Sequence, residues 1–250
     1  MRCTGAIIHA RDVAADVARL PTGRYTPAMA PGVNASQVIA QVAIVAVPVL
    51  AAIVFHEVAH GAVAYALGDP TAARHGRLTL NPLPHIDPFG TVLLPGILLL
   101  APLLFGTPAV VFGYARPVPI DVRRLRRPRR DAMLVALAGP GTNLLLALVS
   151  AVALAALPHG VGPASLANGL RQMAAESLKI NVVLAVFNLL PVPPLDGGRV
   201  LTSLLPPPAA RAIARVEAVG FVVVLLIVMN SDLVTRIVQP VMAALLRLAG

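Results

Sequence analysis

The sequence predicts an all-α polytopic membrane protein with a short juxtamembrane β element and a re-entrant segment. Three observations carry this. Of the 250 residues 57% are hydrophobic and only 12% charged, with a mean hydropathy of +0.81, whereas soluble domains carry about 25% charged residues. Several uncharged stretches reach the roughly 20 residues that a bilayer-spanning helix needs. The apolar stretches are separated by basic or proline- and glycine-rich segments, as membrane helices are by their loops.

The first element is a helix from Ser36 to Leu67, with Ser36 as its N-cap and Gly68 as its stop. Residues 1–35 stand apart: a charged start and then Pro21, Gly23, Pro27, Pro31 and Gly32 predict a flexible extension ahead of one membrane domain, 36–250. Residues 72–87 are polar, and the alternation of Arg77, Leu78, Thr79 and Leu80 predicts a short strand or hairpin beside the membrane. Residues 89–115 are apolar but interrupted by Pro95, Gly96, Pro102, Gly106, Pro108 and Gly113. Such a broken segment is tolerated at membrane depth only when buried in protein or lining a wet cavity. Further helices are predicted from Asp131 to Leu157, Ala174 to Leu190 and Ala209 to Met229, with a last stretch, Leu233 to Leu248, that lies in the interface or spans.

The net charge of +9 sits largely in one loop, Arg123, Arg124, Arg126, Arg127, Arg129 and Arg130. Between apolar stretches such a cluster sets topology by staying in the cytoplasm, so nucleic-acid binding is not expected. Arg74 and Arg77 place the end of the first helix on the same side. The segment 89–115 joins these two cytoplasmic points and is too short for two full crossings, which predicts the re-entrant element. Cys3 is the single cysteine, so no internal disulfide forms.

The chemistry concentrates in His56-Glu57-Val58-Ala59-His60. Positions i and i+4 share a helix face, so both imidazoles reach one zinc ion, and Glu57 beside them is placed as the general base for its water. Histidine pairs in soluble helices are often hydrogen-bonded core residues. Three ionisable groups within five residues of a membrane helix are costly and point to function. A catalytic zinc takes three protein ligands. The best third candidate is Asp196, set among Pro191, Pro193, Pro194, Gly197 and Gly198. On residue chemistry alone Asp196 reads equally as a solvated aspartate capping the following helix.

The chain resembles the site-2 protease family of intramembrane zinc metalloproteases, peptidase family M50. His56-Glu57-x-x-His60 is similar to the first family motif, and Asn188-x-x-Pro191-x-Pro193-x-x-Asp196-Gly197 to the second. Residues 76–91, 115–119 and 138–143 look like the compact members without PDZ or CBS domains. The resemblance implies one zinc per chain on His56, His60 and Asp196, catalysis by Glu57 with Asn188 donating to the substrate carbonyl, and a membrane-spanning protein substrate cut in the bilayer; the arginine positions predict that this site faces the cytoplasm. Asn188 reads otherwise as an interhelical hydrogen-bonding residue. Asn143, after Gly139-Pro140-Gly141, reads as a packing or supporting residue, and His85 with Asp87 as a hydrogen-bonded pair. A membrane metal-ion transporter would also need buried His and Asp, but has no use for a base beside them; a non-catalytic membrane scaffold would need neither.

Overall fold

The computed structural model describes residues 35–93, 97, 116–158, 166–214, 220 and 231–249. The described residues are mostly helical. Helix α1 is Ala35–Ala66, α2 Thr71–Arg74, α3 Pro128–Ala156, α4 Leu166–Asn188, α5 Asp196–Leu204, α6 Pro207–Ala214 and α7 Ser231–Ala249. The predicted first helix is present within a residue at each end. Gly68 ends it at φ +111°, a left-handed conformation that side chains avoid. Helix α4 begins at Leu166, eight residues before the predicted start, because Asn168 and Gly169 are carried inside it. The last stretch is helical throughout its described length. The predicted helix 209–229 and the predicted re-entrant segment 89–115 lie largely outside the described residues. Their described parts are α6 and a single wide helical turn, Pro88–Leu93.

Among the described residues two helices are long and apolar enough to cross a membrane: Val42–Ala66 of α1 and Pro128–Ala156 of α3. Helix α3 packs on both α1 and α4, and α1 on α4. Ala147, Ala151 and Ala175 let the backbones of α3 and α4 approach, with leucine and valine filling the seam. Ala147, Ala151 and Leu154 of α3 meet Ala175, Leu178 and Val182 of α4 and Val238 and Leu246 of α7. The faces turned away from this core are apolar too: Val42, Val47 and Tyr65 on α1, and Leu145, Val149 and Val152 on α3 are each at least half exposed.

No strand is found among the described residues, which corrects the predicted juxtamembrane β element at 76–80. Side chains of this segment and its neighbour His85 tie it down through single backbone carbonyls. The Arg77 guanidinium donates to the carbonyls of Pro84, Arg116 (2.7 Å) and Pro117 (3.1 Å), and the Thr79 carbonyl takes a hydrogen bond from His85 Nε2 (3.0 Å). His85 and Asp87 do not pair. Asp87 instead accepts from the backbone N–H groups of Phe89 and Gly90.

The basic loop docks on the C-terminal end of α1. The Arg126 N–H donates to the Leu67 carbonyl at 3.1 Å. Fully buried Asp69 accepts from the N–H groups of Asp121 (2.7 Å) and Thr71 (3.0 Å). Asp121 itself is held below the usual carboxylate range by its hydrogen bonds to Arg123 and, less, to Arg124. Helix α3 therefore starts where α1 ends, and α4, antiparallel to α3, returns the chain to that same end. There Leu189 to Leu195 form the turn that delivers α5.

Candidate metal centre and active site

His56 and His60 lie one helical turn apart on the buried face of α1, 7% and 4% exposed, and Asp196 is the first residue of α5, 6% exposed. Their ligand atoms converge. His56 Nε2 and His60 Nε2 are 3.0 Å apart, and each is 3.2 Å from Asp196 Oδ2. Among the described residues these three are the group of His, Cys, Asp or Glu able to hold one metal ion.

The hydrogen bonds behind the cluster fix which atoms face inward. His60 Nδ1 lies 2.6 Å from the Val135 carbonyl, which can only accept, so Nδ1 carries the proton. His56 Nδ1 lies 2.5 Å from Asn143 Oδ1. The Asn143 amide spends its hydrogens on the Ala52 carbonyl (3.2 Å) and on Asn181 Oδ1 (2.8 Å), so its oxygen accepts and His56 Nδ1 donates. In the neutral imidazoles both Nε2 atoms then present lone pairs. They face Asp196 Oδ2, which is buried without a hydrogen-bond partner. Three acceptors at such separations repel unless a cation sits among them. Two imidazole nitrogens and a carboxylate oxygen suit zinc, and the Nδ1 partners are those that metal-ligating histidines require.

Close approach of α3 makes the cluster possible. A Cβ built on Gly139 would fall 2.6 Å from His56 Nε2 and nearer still to His60 Nε2, so any larger residue would push into the donors. Pro140 beside it is fully buried inside the helix.

Glu57, half-buried, follows His56 on α1. Its Oε2 accepts the Val118 N–H at 2.8 Å. Val118 adjoins the two carbonyls clasped by buried Arg77, so that side chain braces the loop that holds Glu57. Asn188 closes α4, half-buried, and its Nδ2 donates to the Leu184 carbonyl at 2.9 Å. The structure thus brings His56, His60 and Asp196 together with Glu57 alongside, while Asn188 is engaged within its own helix. Sequence reasoning missed Asn181, the Val118 N–H and the Val135 carbonyl. Asn181 was detectable as an asparagine in an apolar helix, four residues after Ser177. The two backbone groups carry no side-chain signature at all.

The family model described as peptidase family M50 matches residues 163–229, the stretch with Asn188 and Asp196. A Bacillus subtilis (strain 168) protein named "Putative zinc metalloprotease YwhC" is 43% identical over 175 residues, which are 69% of this chain and 74% of that protein. The chain belongs to peptidase family M50. Two further relatives bear the same designation with the name Rip2. That of Mycolicibacterium smegmatis (strain ATCC 700084 / mc(2)155) is 31% identical, and that of Mycobacterium tuberculosis (strain ATCC 25618 / H37Rv) 33%. Each alignment covers 184 residues, 74% of this chain and 66% of the relative. No solved structure matches.

Proposed function

We propose that this M50 chain is a zinc metalloprotease that hydrolyses peptide bonds of membrane-spanning proteins within or next to the bilayer, residues 36–250 forming its protease domain. The observation that carries the reading is the buried convergence of His56 Nε2, His60 Nε2 and Asp196 Oδ2 with Glu57 adjoining, on helices whose outer faces are apolar. Buried polar groups inside and apolar side chains outside are the arrangement of a site within a bilayer.

His56, His60 and Asp196 hold one zinc per chain in this reading. Zinc bound there supplies a Lewis acid that polarises the scissile carbonyl and acidifies a water. Glu57 takes the proton that the attacking water gives up and passes it to the departing amine nitrogen, so that its carboxylate ends as it began. The Val118 N–H keeps that carboxylate in place through the transfer. The Asn188 amide has a second hydrogen beyond the one given to Leu184. Aimed at the substrate carbonyl, it would stabilise developing negative charge by about 3 kcal/mol.

The test uses purified protein in lipid vesicles with a membrane-spanning peptide substrate. About one zinc per chain is expected, as for a single three-ligand site. Stripping it with a chelator should slow cleavage at least about 100-fold, and restoring zinc should recover it. Undiminished cleavage by metal-free protein overturns the reading.

The orientation follows from charge. The end of α1, with Arg74, and the arginine loop lie side by side through the Arg126–Leu67 hydrogen bond, so one side of the membrane receives both. Positive loops remain cytoplasmic, which places the zinc-binding end of the bundle toward the cytoplasm. Single cysteines at the exposed positions Arg74 and Arg126, with Cys3 replaced by serine, should react with an impermeant thiol reagent from the cytoplasmic face alone. Reaction of either from outside refutes this topology.

A further inference from the structure

The zinc site is braced by a line of amides that crosses all three packed helices. Asn181 of α4 is 1% exposed and Asn143 of α3 fully buried. Asn181 Nδ2 donates to the Ser177 carbonyl of its own helix at 2.9 Å. A backbone carbonyl can only accept, so the Asn181 amide has one orientation, with Oδ1 turned toward α3. That oxygen takes a hydrogen from Asn143 Nδ2 at 2.8 Å, and the Ala52 carbonyl takes the other at 3.2 Å. Asn143 is left with one orientation as well, its Oδ1 2.5 Å from His56 Nδ1. Two backbone carbonyls, at Ala52 and Ser177, thus anchor the polarity of the whole line.

We propose that Asn181 is a positioning residue for the metal site: through Asn143 it sets the tautomer of His56 that keeps the Nε2 lone pair facing His60 and Asp196. The proposal rests on the zinc reading above but concerns a residue that touches no ligand atom. Without the Asn181 acceptor, Asn143 has an unpaired buried hydrogen and is held only by its longer bond to the Ala52 carbonyl, 3.2 Å against 2.8 Å, so turning its NH₂ toward His56 costs one weak hydrogen bond where it cost two. The imidazole then places its proton on Nε2, where it blocks coordination. His60 needs no such device, because the Val135 carbonyl fixes its Nδ1 proton directly.

The experiment measures zinc affinity by chelator competition in the full-length protein, together with the thermal unfolding of its zinc-free form. Asn181→Leu should bind zinc about 10- to 100-fold more weakly, the loss typical of an outer hydrogen-bonding partner, with the zinc-free unfolding midpoint little changed. Asn181→Asp, with its buried carboxyl protonated so that the O–H replaces the amide donor to the Ser177 carbonyl, restores an acceptor for Asn143 and should recover most of the affinity. Wild-type affinity in Asn181→Leu, or equal losses in both variants, overturns the proposal. Absence of zinc binding by the wild type itself overturns the metalloprotease reading and this one with it. Should Asn181→Leu fail to fold, nitrogen-15 NMR of histidine-labelled, zinc-free wild type decides. His56, assigned from a His56→Gln sample, should carry its proton on Nδ1. A proton on its Nε2 refutes the proposal.

Discussion

Glu57→Gln is expected to retain its zinc and lose proteolysis by about a thousandfold, within the range that general acid–base groups contribute. Glutamine keeps the length of the side chain and an oxygen for the Val118 N–H, so the loop at 116–118 stays seated. It cannot accept a proton at neutral pH. The ligand atoms belong to other residues, so metal content measured on the purified variant should equal that of the wild type. Substrate binding should persist too, making the variant a trap that retains membrane peptides. Cleavage at a tenth of the wild-type rate would assign the base elsewhere. Loss of zinc alongside activity would show that Glu57 supports the metal instead of moving a proton.

The contrast between Glu57 and its surroundings shows how far the sequence could be read. Glu57, His56 and His60 are adjacent on one helix, so a period of 3.6 residues suffices to place them. The features that hold them are distant in sequence or lie in the backbone. Val118 is 61 positions from Glu57 and Val135 is 75 from His60. Any residue type offers those groups, so no pattern announces them. Asn143 is different: its place after Gly139-Pro140-Gly141 predicts a packing or supporting residue, and Gly139 lies where a Cβ would strike both imidazoles.

Element ends divide along the same line. Gly68 stops α1 because its backbone is left-handed there, a local cause visible in the residue itself. Helix α3 starts three residues earlier than expected, at Pro128. The run of arginines reads as loop, yet proline suits a first turn, and the Asp131 carboxylate reaches back to the Arg127 N–H at 2.7 Å. The alternation at 77–80 failed as a strand signal because it does not follow burial: polar Arg77 is buried and apolar Leu80 is 57% exposed. Arg77 is buried there to clasp the carbonyls of Arg116 and Pro117.

Asp196→Ala should weaken zinc binding by well over about 100-fold, more than loss of an outer partner costs, and abolish cleavage with it. The position tests an ambiguity that residue chemistry left open. Asp196 is the first residue of α5, where an aspartate also suits the helix dipole. An N-terminal role alone requires no approach to α1, and a solvated carboxylate would satisfy it. Instead the side chain is buried and its Oδ2 lies 3.2 Å from both imidazole nitrogens without a hydrogen-bond partner. Removing the carboxylate leaves two neutral nitrogens, which hold zinc weakly and provide none of the negative charge that offsets it. Asp196→Asn keeps the shape and one oxygen but not the charge, so its affinity should fall between those of alanine and wild type. Ligand binding also stabilises the fold, by about 4 kcal/mol at a thousand times the dissociation constant. Zinc should therefore raise the unfolding temperature of the wild type and leave that of Asp196→Ala nearly unmoved. Wild-type zinc affinity in Asp196→Ala would reduce this aspartate to a helix-terminal residue and put the third ligand elsewhere in the chain.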